Sequence, residues 1–92
     1  MTKRTPERSR STAWQSIDGE MVLLRVRARE LLGLNEVARR IWELADGTRA
    51  IEQIAAIVAA EFDVLPEVAE FDTARFVEEL IGLDALQLRE ES

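Results

Sequence analysis

The dipeptide Asp18-Gly19 constrains this chain more than any other pair of residues. It stands between two strand-like runs, Ala13-Trp14-Gln15-Ser16-Ile17 and Glu20-Met21-Val22-Leu23-Leu24-Arg25-Val26-Arg27. Asp and Gly tolerate the positive φ angles of a two-residue type I′ turn, whose twist matches the flanking strands. The pattern therefore predicts an antiparallel hairpin over 12–27. In the second run Val22, Leu24 and Val26 alternate with Leu23, Arg25 and Arg27. One face is apolar throughout, and the other turns charged toward its end. Glu30 to Leu34 reads as a short third strand, because it lies too close to Asn35 to form a helix of its own.

From Asn35 onward the period changes. Asn35 is a good N-cap, since its side chain accepts a bond from an orphan amide of the first turn. Ala38, Ile41, Trp42 and Ala45 then recur at helical spacing, and Asp46-Gly47 ends the run. A second helix carries Ile51, Ile54, Ala55, Val58 and Phe62 on one stripe. A third begins near Pro66 or Asp72 and carries Ala69, Phe76, Leu80 and Leu83. Three short helices alone would leave much apolar area in water, so the sheet must cover them. The expected fold is α+β and winged-helix-like, a three-stranded antiparallel sheet followed by three helices. The expected boundaries are a disordered basic arm over 1–11, a folded domain over 12–88 and a flexible tail over 89–92. With 92 residues the domain is single and its core thin. Trp42 falls on the buried stripe of the first helix; Trp14 either packs beneath the hairpin or stands exposed at an interface.

Catalysis has little to work with. The chain contains no cysteine and no histidine, which excludes thiolate zinc sites, disulfides, thiol nucleophiles and imidazole bases. Glu78-Glu79 and Glu90-Glu91 are adjacent, so on a helix the members of each pair diverge. The glycines are scattered and form no phosphate loop. No cofactor or metal is expected. The run Met21 to Leu24 is too short for a signal peptide or a membrane span, and the expected compartment is the cytoplasm.

Charge is uneven. Residues 1–29 carry a net of +4 and residues 30–92 a net of −10. The third helix holds Glu70, Asp72, Glu78, Glu79 and Asp84 against Arg75 alone, a poor surface for phosphates. What remains is an edge strand. An outer strand leaves unpaired amide and carbonyl groups, and an extended peptide can add itself there. If Arg29 to Gly33 is that edge, Leu31 and Leu32 face opposite sides, one toward the core and one toward a groove.

The chain resembles the PqqD family. The matching residues are Asp18-Gly19-Glu20 with Val22-Leu23-Leu24, then Leu34-Asn35, Ile41-Trp42-Glu43-Leu44 and Asp46-Gly47-Thr48. Ile54-Ala55, Glu61-Phe62, Asp72, Phe76-Val77 and Leu80 continue it, and the resemblance spans roughly 14–86. It implies a non-catalytic chaperone that binds the leader of a ribosomally made precursor peptide and presents it to a modifying enzyme, often a radical SAM protein. Pyrroloquinoline quinone and lasso peptides are among the products of such pathways. By this resemblance the leader adds to the third strand and lies against the third helix. The implied peptide-binding residues are Arg27, Arg29, Glu30, Leu31, Leu32 and Gly33 on the strand side. On the helix side they are Asp72, Arg75, Phe76, Glu79, Leu80 and Leu83. The family's capping-box positions before the second helix hold Ala50 and Gln53 here, which leaves Thr48 as an alternative cap. Two other readings stay open: a winged-helix DNA-binding regulator, and a general protein-interaction module with homodimerisation through the edge strand.

Overall fold

A computed structural model describes residues 3–10, 12–25 and 30–91. In chain order the elements are β1 (Lys3–Arg8), β2 (Thr12–Ile17), β3 (Glu20–Arg25), β4 (Glu30–Leu34), α1 (Glu36–Leu44), α2 (Ile51–Phe62), α3 (Pro66–Gly82) and β5 (Leu86–Glu91). The Asp18-Gly19 turn forms as its residues dictate, with φ of 52° and 83°. It sets Trp14 opposite Leu23 and Ser16 opposite Met21. β4 then pairs antiparallel with β3, placing Leu34 opposite Met21 and Leu32 opposite Leu23. The sheet order is β2-β3-β4, so β4 is an edge.

The inner face of this sheet meets the helices. Met21, Leu23 and Leu34 join Ile41, Trp42, Ile54, Ala55, Val58, Ala69, Val77 and Leu80 in one buried cluster. Asn35 caps α1 by accepting from the Ala38 amide at 2.8 Å. Pro66 opens α3 at a position where its missing N–H costs nothing. At α2 the cap is not Thr48. The Gln53 side chain accepts from the Ala50 amide at 2.7 Å, which supplies the second half of a capping box whose first half alanine cannot make. Trp14 stands 55% exposed, beyond the edge of the helical layer.

The expected disordered arm is instead a strand. β1 pairs antiparallel with β5 from Lys3↔Glu91 to Arg8↔Leu86. The tail expected at 89–92 is likewise β5 up to Glu91. β1 shows no strand pattern by itself and contains Pro6, and β5 has only the short alternation Leu86-Gln87-Leu88-Arg89. What makes them a ribbon is tertiary: Thr5 and Pro6 are buried, and so is Leu86. Exposed Arg4–Glu90 and Arg89–Glu7 pairs flank it and add little by themselves.

The ribbon is fastened to the end of α1. Gly47 donates its amide to the Pro6 carbonyl at 2.9 Å, and the Arg8 amide donates to the Ala45 carbonyl at 3.1 Å. The Arg8 guanidinium donates to the carbonyls of Trp42 and Glu43 at 2.9 and 3.0 Å. α1 has no basic residue in its own last turn, so β1 supplies the cation that its C-terminus favours. Gly47 is required twice over. Its φ is +85°, and a Cβ would stand 3.3 Å from both Glu7 and Arg89 side-chain atoms. Beside it, Asp46 accepts from the Thr48 amide at 3.0 Å, from the Thr48 hydroxyl and from Arg49. These bonds, the Thr48 hydroxyl foremost, hold the Asp46 carboxyl below its ordinary range.

Two outcomes follow from this packing. Trp42 is 1% exposed, so Trp42→Ala removes a buried ring and should cost about 3–5 kcal/mol in urea unfolding. Asp46 contributes stability that is complete above the unfolded carboxyl pKa and is lost as pH falls through its lower folded value. The stability gap between wild type and Asp46→Asn, measured by urea unfolding, should therefore be constant near neutral pH and shrink below about pH 4.

Candidate functional site

β4 leads through Asn35 into α1, whose first turns share a cavity with the middle of α3. β4 pairs with β3 on one side only; its other edge has no strand partner among the described residues. Alternation along β4 is fixed by register. Leu32 and Leu34 share the inner face with Leu23 and Met21, while Gly33 shares the outer face with Val22. The Asn35 cap then turns the chain sharply into α1, whose first turns run beside the middle of α3.

Between those helices lies a cavity of about 220 Å³. Val37, Ala38 and Ile41 line it from α1, and Asp72, Arg75 and Phe76 from α3. Its walls are mostly apolar, and its α3 side carries one charge of each sign. Ala38 keeps it open, because a small residue stands where the helical stripe would otherwise hold a large one. A second cavity, about 470 Å³, opens at the end of the sheet. Gly19, Glu20 and Met21 line it from the turn and β3, Gly33 and Leu34 from β4, and Arg39 from α1. Asn35 borders both cavities.

The residues expected from sequence separate into groups. Asp72, Arg75 and Phe76 come together at the smaller cavity. Gly33 is exposed on the open strand, and Leu32 is half-buried against the core. Glu79 is exposed, and Leu83 is half-buried and packed on the core. Leu80 is a correction. At 1% exposure it belongs to the interior, in the same buried cluster as Val77, and it presents nothing to a ligand. Arg27 and Arg29 lie outside the described residues, as do the side chains of Glu30 and Leu31; the backbone of the latter two is in β4.

Sequence reasoning missed Val37, Ala38 and Asn35 as site residues. By their spacing alone Ala38 and Ile41 read wholly as a buried stripe. The available signal was size, since alanine in such a stripe marks either close packing or a gap. It also missed the apolar stripe on the first half of α3. Leu65 and Phe71 are each 68% exposed and Val68 44%, at three-residue spacing that leads toward Asp72 and Arg75. Among the described residues no group of acidic side chains is arranged to hold a metal ion. Among the described residues no helix is long and apolar enough to cross a membrane.

Known proteins share this arrangement. The sequence pattern of Coenzyme PQQ synthesis protein D (PqqD) matches residues 20–86. The structure of TbiB1 in complex with the TbiA(beta) leader peptide superposes with a TM-score of 0.77 and 30% identity, covering 88% of this chain and 94% of that one. A lasso peptide synthetase B1 complexed with its leader peptide has a TM-score of 0.80 at 24% identity, covering 89% of this chain and 96% of that one. The PqqD truncation of Methylobacterium extorquens PqqCD, a stand-alone RiPP recognition element, has a TM-score of 0.73 at 24% identity, covering 89% and 87%. At these lower identities the last two show the fold. No curated protein sequence matches the chain. The β2-β3-β4 sheet, the three helices behind it and the match over 20–86 lead to one conclusion: this chain belongs to the PqqD family.

Proposed function

We propose that this protein is a non-catalytic chaperone that binds the leader segment of a ribosomally made precursor peptide and presents it to a modifying enzyme. The observation that carries the reading is the open edge of β4, which leads through Asn35 to the cavity lined by α1 and α3. An added strand takes affinity from main-chain bonds to β4, and one of its inward side chains fills the apolar cavity. Support comes from TbiB1, 30% identical over most of both chains, whose structure holds a leader peptide. Asp72 and Arg75 tune which leader charges are accepted, as rim charges do, while Phe76 and its apolar neighbours set most of the affinity. Glu30, Leu31, Leu32 and Gly33 supply the receiving strand, with Arg27 and Arg29 meeting acidic leader residues near it and Glu79 and Leu83 at the far end. The enzyme served is a peptide-modifying one, a radical SAM protein being one class, and the setting is the cytoplasm. A winged-helix regulator is disfavoured, because Glu70, Glu78 and Glu79 are exposed on α3 where DNA phosphates would lie.

The test is a titration of isotope-labelled protein with leader peptides of precursors encoded near its gene. Amide shifts should concentrate at 30–35 and 72–76. Shifts confined to α2 or to the β1–β5 ribbon would place the site elsewhere and sink the reading. A second outcome concerns the cavity itself. Ala38→Phe should fill it with a change in stability of no more than about 1–3 kcal/mol. Calorimetry should then show leader affinity reduced by roughly tenfold or more, the equivalent of about 1.4 kcal/mol.

A further inference from the structure

Gly33 has no reason to be glycine in the free protein. Its φ is not in the left-handed region, unlike those of Gly19 and Gly47. A Cβ added there would meet nothing within 4 Å. Glycine inside a strand weakens it and packs nothing, and where no bend demands it, it marks the close approach of a ligand or another backbone. Gly33 stands on the outer face of an edge strand, opposite Val22, with its flank open to solvent. The same face carries Val22, half-buried, with Leu24 38% and Ile17 47% exposed. Gly33 also lines the larger cavity at the end of the sheet.

We propose that Gly33 is a specificity-determining notch that accepts an aromatic side chain of the bound peptide on the outer face of the sheet. This rests on the strand-addition reading above and adds to it. The inward residues of an added strand face the α1–α3 cavity; its outward residues otherwise face water. The outward residue opposite Gly33 projects on the same side as Val22, because cross-strand partners share a face. Strands lie about 4.8 Å apart, so Val22 is two spacings, roughly 10 Å, from the peptide backbone. A short side chain cannot span that distance, and with Gly33 between them no Cβ obstructs a long, flat one that can lie over the strand. Phenylalanine, tyrosine or tryptophan fits, covers the Gly33 backbone and shields Val22. A small outward residue leaves Val22 wet, and a valine at position 33 would fill the notch from the protein's side.

The experiment selects phage-displayed random peptides on wild type and on Gly33→Val, with Gly33→Ala as an intermediate. The substitutions point into open space and add strand propensity, so melting temperatures should hold or rise. Wild type should enrich an aromatic residue at one position of an alternating consensus, and Gly33→Val should replace it with a small one. Truncating that aromatic to alanine should cost wild type roughly two- to fivefold in affinity and Gly33→Val nothing. The same consensus on both proteins, or none with an aromatic preference, overturns the notch and leaves leader binding standing. No enrichment on either protein, or enrichment unaffected by Ala38→Phe, overturns the strand-addition reading and the notch with it.

Discussion

The burial of Met21 and Leu23 against Ile41, Trp42 and Ile54 is the contact on which the other elements depend. A domain of this length has little apolar area to spare, so the inner face of the β2-β3-β4 sheet and the β1–β5 ribbon together cover the three helices. Among the described residues of the three-stranded sheet, Met21 and Leu23 of β3, the central strand, are the most buried. β2 and β4 are therefore left at the margins. β2 overhangs the helical layer, which is why Trp14 is exposed although it pairs with the buried Leu23. β4 lies over the start of α1, where its inner side chains are used for packing and its outer edge is not.

The ribbon of β1 and β5 solves a different problem. α1 ends without a basic residue of its own, and the loop after it must turn through a buried glycine. Arg8 supplies the cation, and Pro6 accepts from the Gly47 amide. The residues Asp46-Gly47-Thr48 thus serve as a structural clamp. Asp46 bonds Thr48 and Arg49 to shape the loop, and Gly47 leaves room for Glu7 and Arg89. This places the clamp at the end of α1 and leaves the β4 edge, which leads into its start, unpaired among the described residues.

In the proposed binding mode two kinds of selectivity are separated by the pleat of a single strand. Inward positions of an added peptide meet the cavity bounded by Ala38, Phe76 and Asp72. In the same proposal outward positions meet Gly33 and the half-buried Val22. Alternation thus lets one short strand read two surfaces at once. The main-chain bonds, which are blind to sequence, supply a common affinity.

The hairpin, the third strand, the Asn35 cap and the three helical stripes were all legible in the sequence, because each rests on local chemistry: turn dihedrals, capping geometry and apolar period. The resemblance carried by Leu34-Asn35 through Asp46-Gly47-Thr48 added the family. The ribbon was not legible. Lys3–Arg8 and Leu86–Glu91 are polar and charged segments, and a strand made of them exists only through pairing between the two ends of the chain. Leu80 and Phe76 share one helical stripe in the sequence, yet the first is interior and the second lines a cavity. That distinction depends on how far α3 rolls against α1 and α2, which no local period encodes. Gly33 divides in the same way. The sequence placed a glycine in a strand, and only the tertiary structure put it at an open edge, with ordinary φ and empty space where a side chain would stand.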